Sequence, residues 1–121
     1  MRSKWITFKD RQIFLQDFSE HYMTDLDAVK AELLAVQQVV AKQPENSVLV
    51  LADFRNTQIN RALMDILVSS SKLTKPHVRK TAVLGVVGTK RVLADILIRM
   101  TGQELTLFDD PETAKDWLVK E

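Results

Sequence analysis

The sequence predicts an α/β domain: a single mixed sheet of about five strands, opening with an N-terminal antiparallel hairpin, with parallel strands beyond it and four helices. Three observations carry that prediction. Two short runs, 48–52 and 82–87, are apolar on both alternating sets of side chains, as strands covered on both faces must be. Stretches with apolar residues at helical spacing stand before, between and after them. Aromatic and β-branched clusters at the beginning, split by a short polar segment, read as two paired strands.

In the first hairpin, Trp5, Ile6 and Phe8 face Ile13, Phe14, Leu15 and Phe18 across the polar Lys9-Asp10-Arg11-Gln12, a turn without the Asn-Gly or Asp-Gly pair that marks the tightest hairpins. Thr24 or Asp25 caps a helix running to about Gln43, whose buried stripe is Leu26, Val29, Leu33, Val36, Val39 and Val40. Pro44-Glu45-Asn46 stops it, and the strand at 48–52 follows. A second helix starts near Asn60, carries Leu63, Ile66, Leu67, Ser70 and Leu73, and ends at Pro76.

Residues 81–100 form the unit around which the rest is organised. The doubly apolar strand runs into Gly88, which permits a sharp turn, and Thr89 is placed to cap a helix striped by Val92, Leu93, Ile96, Leu97 and Met100. Gly102 closes that helix. A short strand at 105–108 comes next, and Asp109 or Asp110 caps a last helix with Pro111 in its first turn and Ala114, Trp117 and Leu118 to bury. Each crossover after the hairpin should be right-handed.

At 121 residues with 45% apolar and 27% charged side chains, the chain reads as one globular domain, 1–121, able to bury a core. It has no cysteine, which excludes disulfides, thiolate metal sites and cysteine nucleophiles. No apolar run approaches the roughly 20 residues that cross a bilayer, and a cytoplasmic location is expected. The net charge of +1 favours no partner. Residues 72–99 hold seven basic side chains against Asp95 alone, and residues 100–121 hold six acids against two lysines, a distribution that solvated surface accounts for. Nucleic acid is not an expected partner, since no RNP, KH, zinc-finger or helix-turn-helix pattern occurs.

The candidate site residues lie where predicted strands end. Gly88, Thr89, Lys90 and Arg91 would place free helix-start amides beside two cations, which suits a phosphate or carboxylate as well as it suits a plain capped helix. The spacing is not that of a P-loop. Asp53 ends the neighbouring strand and Arg55 could reach the same edge; an aspartate there either serves as a general base or accepts hydrogen bonds from turn amides. His21 and His77 lack ligand spacing, and Ser69-Ser70-Ser71 lacks a nucleophile elbow, so no metal, cofactor or catalytic group is expected.

Three patterns resemble the STAS-like superfamily, specifically the anti-sigma-factor-antagonist-like bacterial proteins grouped near CRAL-TRIO lipid-binding domains. They are the strand end Leu51-Ala52-Asp53-Phe54-Arg55, the passage Leu84-Gly85-Val86-Val87-Gly88-Thr89-Lys90-Arg91, and Thr101-Gly102 followed by Phe108, Ala114, Trp117 and Leu118. The resemblance covers nearly the whole chain. It implies a non-catalytic module that binds a protein partner or a small ligand. Partner-switching members carry a phosphorylatable serine at the start of the second helix, where this chain has Thr57-Gln58-Ile59-Asn60-Arg61 and Thr57 as the sole hydroxyl. A regulatory module would use Asp53, Arg55 and Thr57 with the turn after Gly88. A carrier of an apolar, lipid-like or anionic ligand would need a cavity lined by such residues as Leu63, Leu67, Leu93 and Leu97. The exposed first hairpin could pair with a copy of itself to make a homodimer.

Overall fold

The computed structural model describes residues 2–19, 26–56, 61–85 and 105–120. They form one five-stranded sheet in the order β1-β2-β3-β4-β5, made of Lys4–Phe8, Arg11–Asp17, Val48–Asp53, Val78–Leu84 and Leu105–Phe108. β1 and β2 pair antiparallel and every later pairing is parallel, as the sequence predicts. Three helices are described: α1 (Leu26–Ala41), α2 (Arg61–Thr74) and α3 (Pro111–Val119). The fourth predicted helix, striped by Val92 to Met100, and the predicted caps Thr24 and Asp25 lie outside the described residues.

The first turn is tighter than the sequence reading has it. Only Lys9 and Asp10 separate the strands, with φ of 49° and 64°, the left-handed pair that a two-residue hairpin of matching twist requires. Neither residue is glycine, so each carries a Cβ in a conformation that glycine adopts more readily. Lys9 bonds Asp116 of α3 at 2.6 Å and lies over the Phe8 ring.

Alternation along the central strands divides the core into two layers. Phe14, Val48 and Val50 meet Val36 and Val40 of α1, while Ala52 and Val83 meet Val29, Leu33 and Leu67. On the opposite face Ile13, Leu49, Leu51, Ala82 and Leu84 meet Ala114 and Leu118 of α3. Six successive residues of β3 are buried, the double covering that its sequence implies. Each large aliphatic side chain so buried contributes about 1.5–3 kcal/mol. The crossovers β2-α1-β3 and β3-α2-β4 place α1 and α2 side by side on one face, the arrangement that a single handedness produces when strands are added in sequence.

Three boundaries differ from the sequence reading. β4 runs Val78–Leu84 rather than 82–87, because Gly85 takes φ 80° and leaves the sheet. α2 ends at Thr74, and Pro76 sits inside a following 3-10 turn, Lys75–His77. α1 ends at Ala41, and His77 Nδ1–H donates to Gln43 O at 2.8 Å, tying the turn after α2 to the loop after α1. Of the two candidate caps for α3, Asp110 is the one used: its carboxylate accepts from Thr113 N at 2.8 Å. Lys80 of β4 closes the other end of α3, donating to Trp117 O and Lys120 O with its ammonium over the Trp117 ring.

Candidate functional site

The carboxyl ends of β2, β3 and β4 meet at one rim. There the chain uses the same pair of residues twice: Asp17-Phe18 leaves β2 and Asp53-Phe54 leaves β3, with Asp17 in register with Asp53. Phe18 N–H donates to Asp53 O at 2.9 Å and Phe54 N–H donates to Leu84 O at 3.0 Å, so the ladder extends one residue past each strand. The two rings stack with centroids 5.5 Å apart.

Each aspartate then folds its own exit. Asp17 Oδ1 accepts from Ser19 N at 3.1 Å and Ser19 Oγ at 2.7 Å; Asp53 Oδ1 accepts from Arg55 N at 3.0 Å. Each also holds an arginine. Arg55 Nε and Nη2 donate to the two oxygens of Asp53 at 3.0 and 2.8 Å, and Arg2 Nη2 donates to Asp17 Oδ2 at 3.2 Å while Nη1 reaches Ser19 O. The Asp53 side chain is 6% exposed and that of Arg55 48%, so a buried carboxylate fixes a guanidinium that faces water. Burial works to raise the Asp17 carboxyl, but the Ser19 hydroxyl and amide and the Arg2 guanidinium outweigh it and hold it below its ordinary value.

Gly85 completes the rim. A Cβ built on it would stand 2.7 Å from both the amide nitrogen and Cα of Arg55, so only glycine lets the exits of β3 and β4 approach this closely. Behind the rim, Glu32 of α1 is 4% exposed and accepts from Arg2 N at 3.2 Å and Ser3 N at 2.9 Å. Ser3 Oγ in turn accepts from Asp17 N. Burial raises the Glu32 carboxyl and the Ser3 and Arg2 donors more than offset it, leaving it below its ordinary value.

Of the residues singled out from sequence, Asp53 and Arg55 are thus brought together, and the Asp53 carboxylate takes the role of acceptor for a turn amide and an arginine. Thr57, Gly88, Thr89, Lys90 and Arg91 lie outside the described residues. The sequence reading passes over Asp17, Arg2 and Glu32. The repeated Asp-Phe at the ends of two strands was the signal for the first. A glutamate three residues after Val29, on the side of α1 that is otherwise apolar, was the signal for the last.

A small cavity of about 60 Å³ lies between the sheet and α2. Val50, Ala52, Val83 and Leu67 line it together with the polar Gln16 and Thr81, and no charged side chain among the described residues does. Leu67 is the one member of the predicted carrier lining whose side chain is described. Among the described residues no group of three or more His, Asp or Glu is placed to hold a metal ion, and no helix is long and apolar enough to cross a membrane.

No family model matches the chain, and neither does any curated protein. A solved structure does match: an uncharacterised protein of the DUF3478 family with a SpoIIAA-like fold, from Shewanella loihica PV-4. The TM-score is 0.73 at 12% sequence identity, over 96% of this chain and 91% of that one. The resemblance to STAS-like proteins therefore holds for the fold: this chain has the SpoIIAA-like arrangement of five strands and flanking helices.

Proposed function

We propose that the chain is a non-catalytic regulatory module that docks a protein partner on the rim formed by Asp17, Asp53, Arg55 and Gly85. The observation that supports this most is the two-bond ion pair from buried Asp53 to half-exposed Arg55, set in a turn that Gly85 holds in place. Such a guanidinium is oriented before any partner arrives, so binding gives up little side-chain freedom. Both rim carboxylates already accept from an arginine and from an amide, a use that suits rigidity more than proton transfer. Because each arginine stands on its own aspartate, the rim reads a partner by shape and hydrogen bonding more than by net charge.

The test is quantitative affinity capture from the source cells with the wild-type chain and with Arg55→Glu, both verified as folded by circular dichroism. A partner retained by the wild type and lost by the variant supports the rim. An identical captured set for both removes it.

A second reading, carriage of a small ligand, draws on the cavity between the sheet and α2. At about 60 Å³ it takes a molecule of a few heavy atoms, since one water already needs roughly 10–15 Å³. Its mixed lining of Gln16, Thr81 and aliphatic groups suits a neutral molecule better than an anion. Native mass spectrometry of gently purified protein separates the readings: a stoichiometric bound molecule favours carriage, and a bare chain leaves docking.

A further inference from the structure

We infer that the groove between α1 and α2, on the side away from the sheet, is the interface of a homodimer. Among the described residues three large apolar side chains are exposed, and two of them, Leu34 at 56% and Leu73 at 64%, border this one groove. Its volume is about 440 Å³. Leu33 and Ile66 form its floor, and Gln37 Nε2 donates to Ser70 Oγ at 3.1 Å across it, so the two helices hold the groove open as a fixed shape. Ser69, exposed one turn before Leu73, also lines the groove and is small enough to let another helix approach on that side.

Charge on the groove selects the occupant. Lys30 stands near the amino end of α1 and Asp65 near the amino end of α2, both exposed, and neither forms an ion pair among the described residues. α1 and α2 each return from the end of one parallel strand to the start of the next, so they run in the same direction with these two residues at the same end. A two-fold axis along the helices sets α1 of one copy against α2 of the other. Lys30 then meets Asp65 of the partner subunit, twice by symmetry, while the leucines leave water between them. The surface is complementary to itself, which a surface with one sign of charge would not be. This rests on a different face from the rim proposed above, and the two stand or fall separately.

Two helices of this length give an interface at the small end of the stable range, and a dissociation constant in the micromolar range is expected. Sedimentation equilibrium of the full chain from about 1 to about 500 µM should show a monomer-dimer equilibrium. Leu34→Glu with Leu73→Glu should leave monomer throughout with an unchanged circular dichroism spectrum, since neither side chain is part of the core. Lys30→Asp or Asp65→Lys alone should weaken the dimer about tenfold or more by opposing like charges, and the two together should restore it. A chain that stays monomeric at the highest concentration overturns the inference. So does a dimer indifferent to the leucine changes, as pairing along β1 would be, or a double charge exchange no tighter than its single members.

Discussion

Gly85 and Arg55 pack backbone against backbone, with no room for a single further carbon between them. The distance from an added Cβ to Arg55 Cα would be 2.7 Å, and Gly85 also has φ 80°, where an L side chain is strained even in open space. Two penalties therefore act at one position, and the atoms that would have to move are main chain. Gly85→Ala should cost about 2–4 kcal/mol, read as a lowered urea midpoint. A loss under about 0.5 kcal/mol, of the size expected at an ordinary surface site, would show that the β3 and β4 exits are not held together here.

Asp53 organises the same turn from below, with one oxygen for an amide and both for a guanidinium. Asp53→Ala removes three acceptor contacts, among them the one to the partly buried Arg55 amide, at a cost of about 1–3 kcal/mol. Asp53→Asn keeps an oxygen for that amide and should lose less, while releasing the Arg55 side chain. The discriminating measurement is the pair of unfolding free energies alongside the NMR linewidth of Arg55 Nε. Equal losses for the two variants would mean that the charge, and not the turn, is what the site requires.

Asp10 occupies the second central position of the first turn at φ 64°, a conformation that glycine adopts without a Cβ penalty. Asp10→Gly should stabilise the chain by roughly 0.5 kcal/mol, the strain relieved less the greater freedom of the unfolded chain. Asp10→Val should do the reverse by a larger amount. Lys9 is left alone in both, because its bond to Asp116 is exposed at both ends and worth little, yet would confuse the comparison. Thermal midpoints that move the same way for glycine and valine would contradict a left-handed turn.

Much of this architecture is written locally. β3 announces itself because 48–52 are apolar without a break and the first polar residue, Asp53, comes at its end. Asp110 and Pro111 announce the start of α3 because capping chemistry acts within four residues. The places where sequence reading slips are those decided by contacts far along the chain. Gly85 looks like one more strand residue until Arg55 is set against it. Lys9-Asp10 lacks the usual turn residues, and its left-handed conformation follows only once β1 and β2 are paired. Arg2, Asp17 and Glu32 form one polar cluster only when β1, β2 and α1 are assembled, so periodicity places Glu32 on the inner side of α1 without naming its partners.

That cluster makes the fold sensitive to acid. The Asp17 and Glu32 carboxyls are both held below their ordinary values, near 4, in the folded chain, so on acidification the unfolded chain takes up protons first. Their contribution is complete above about pH 5 and is lost as pH falls through the ordinary range and on through the lower folded values. Glu32→Gln isolates the share of the buried carboxylate: the amide oxygen still accepts from Ser3 N, but without charge and without a proton to gain. At pH 7 the variant should be less stable by about 1 kcal/mol, since hydrogen bonds to charged acceptors are worth about twice those to neutral ones. Urea midpoints taken at pH 7, 5 and 3.5 should then converge, because the wild type gives up that advantage on acidification and the variant has none to lose. Parallel curves over that range would show that the acid loss belongs to other carboxylates and that Glu32 does no more than fill its place in α1.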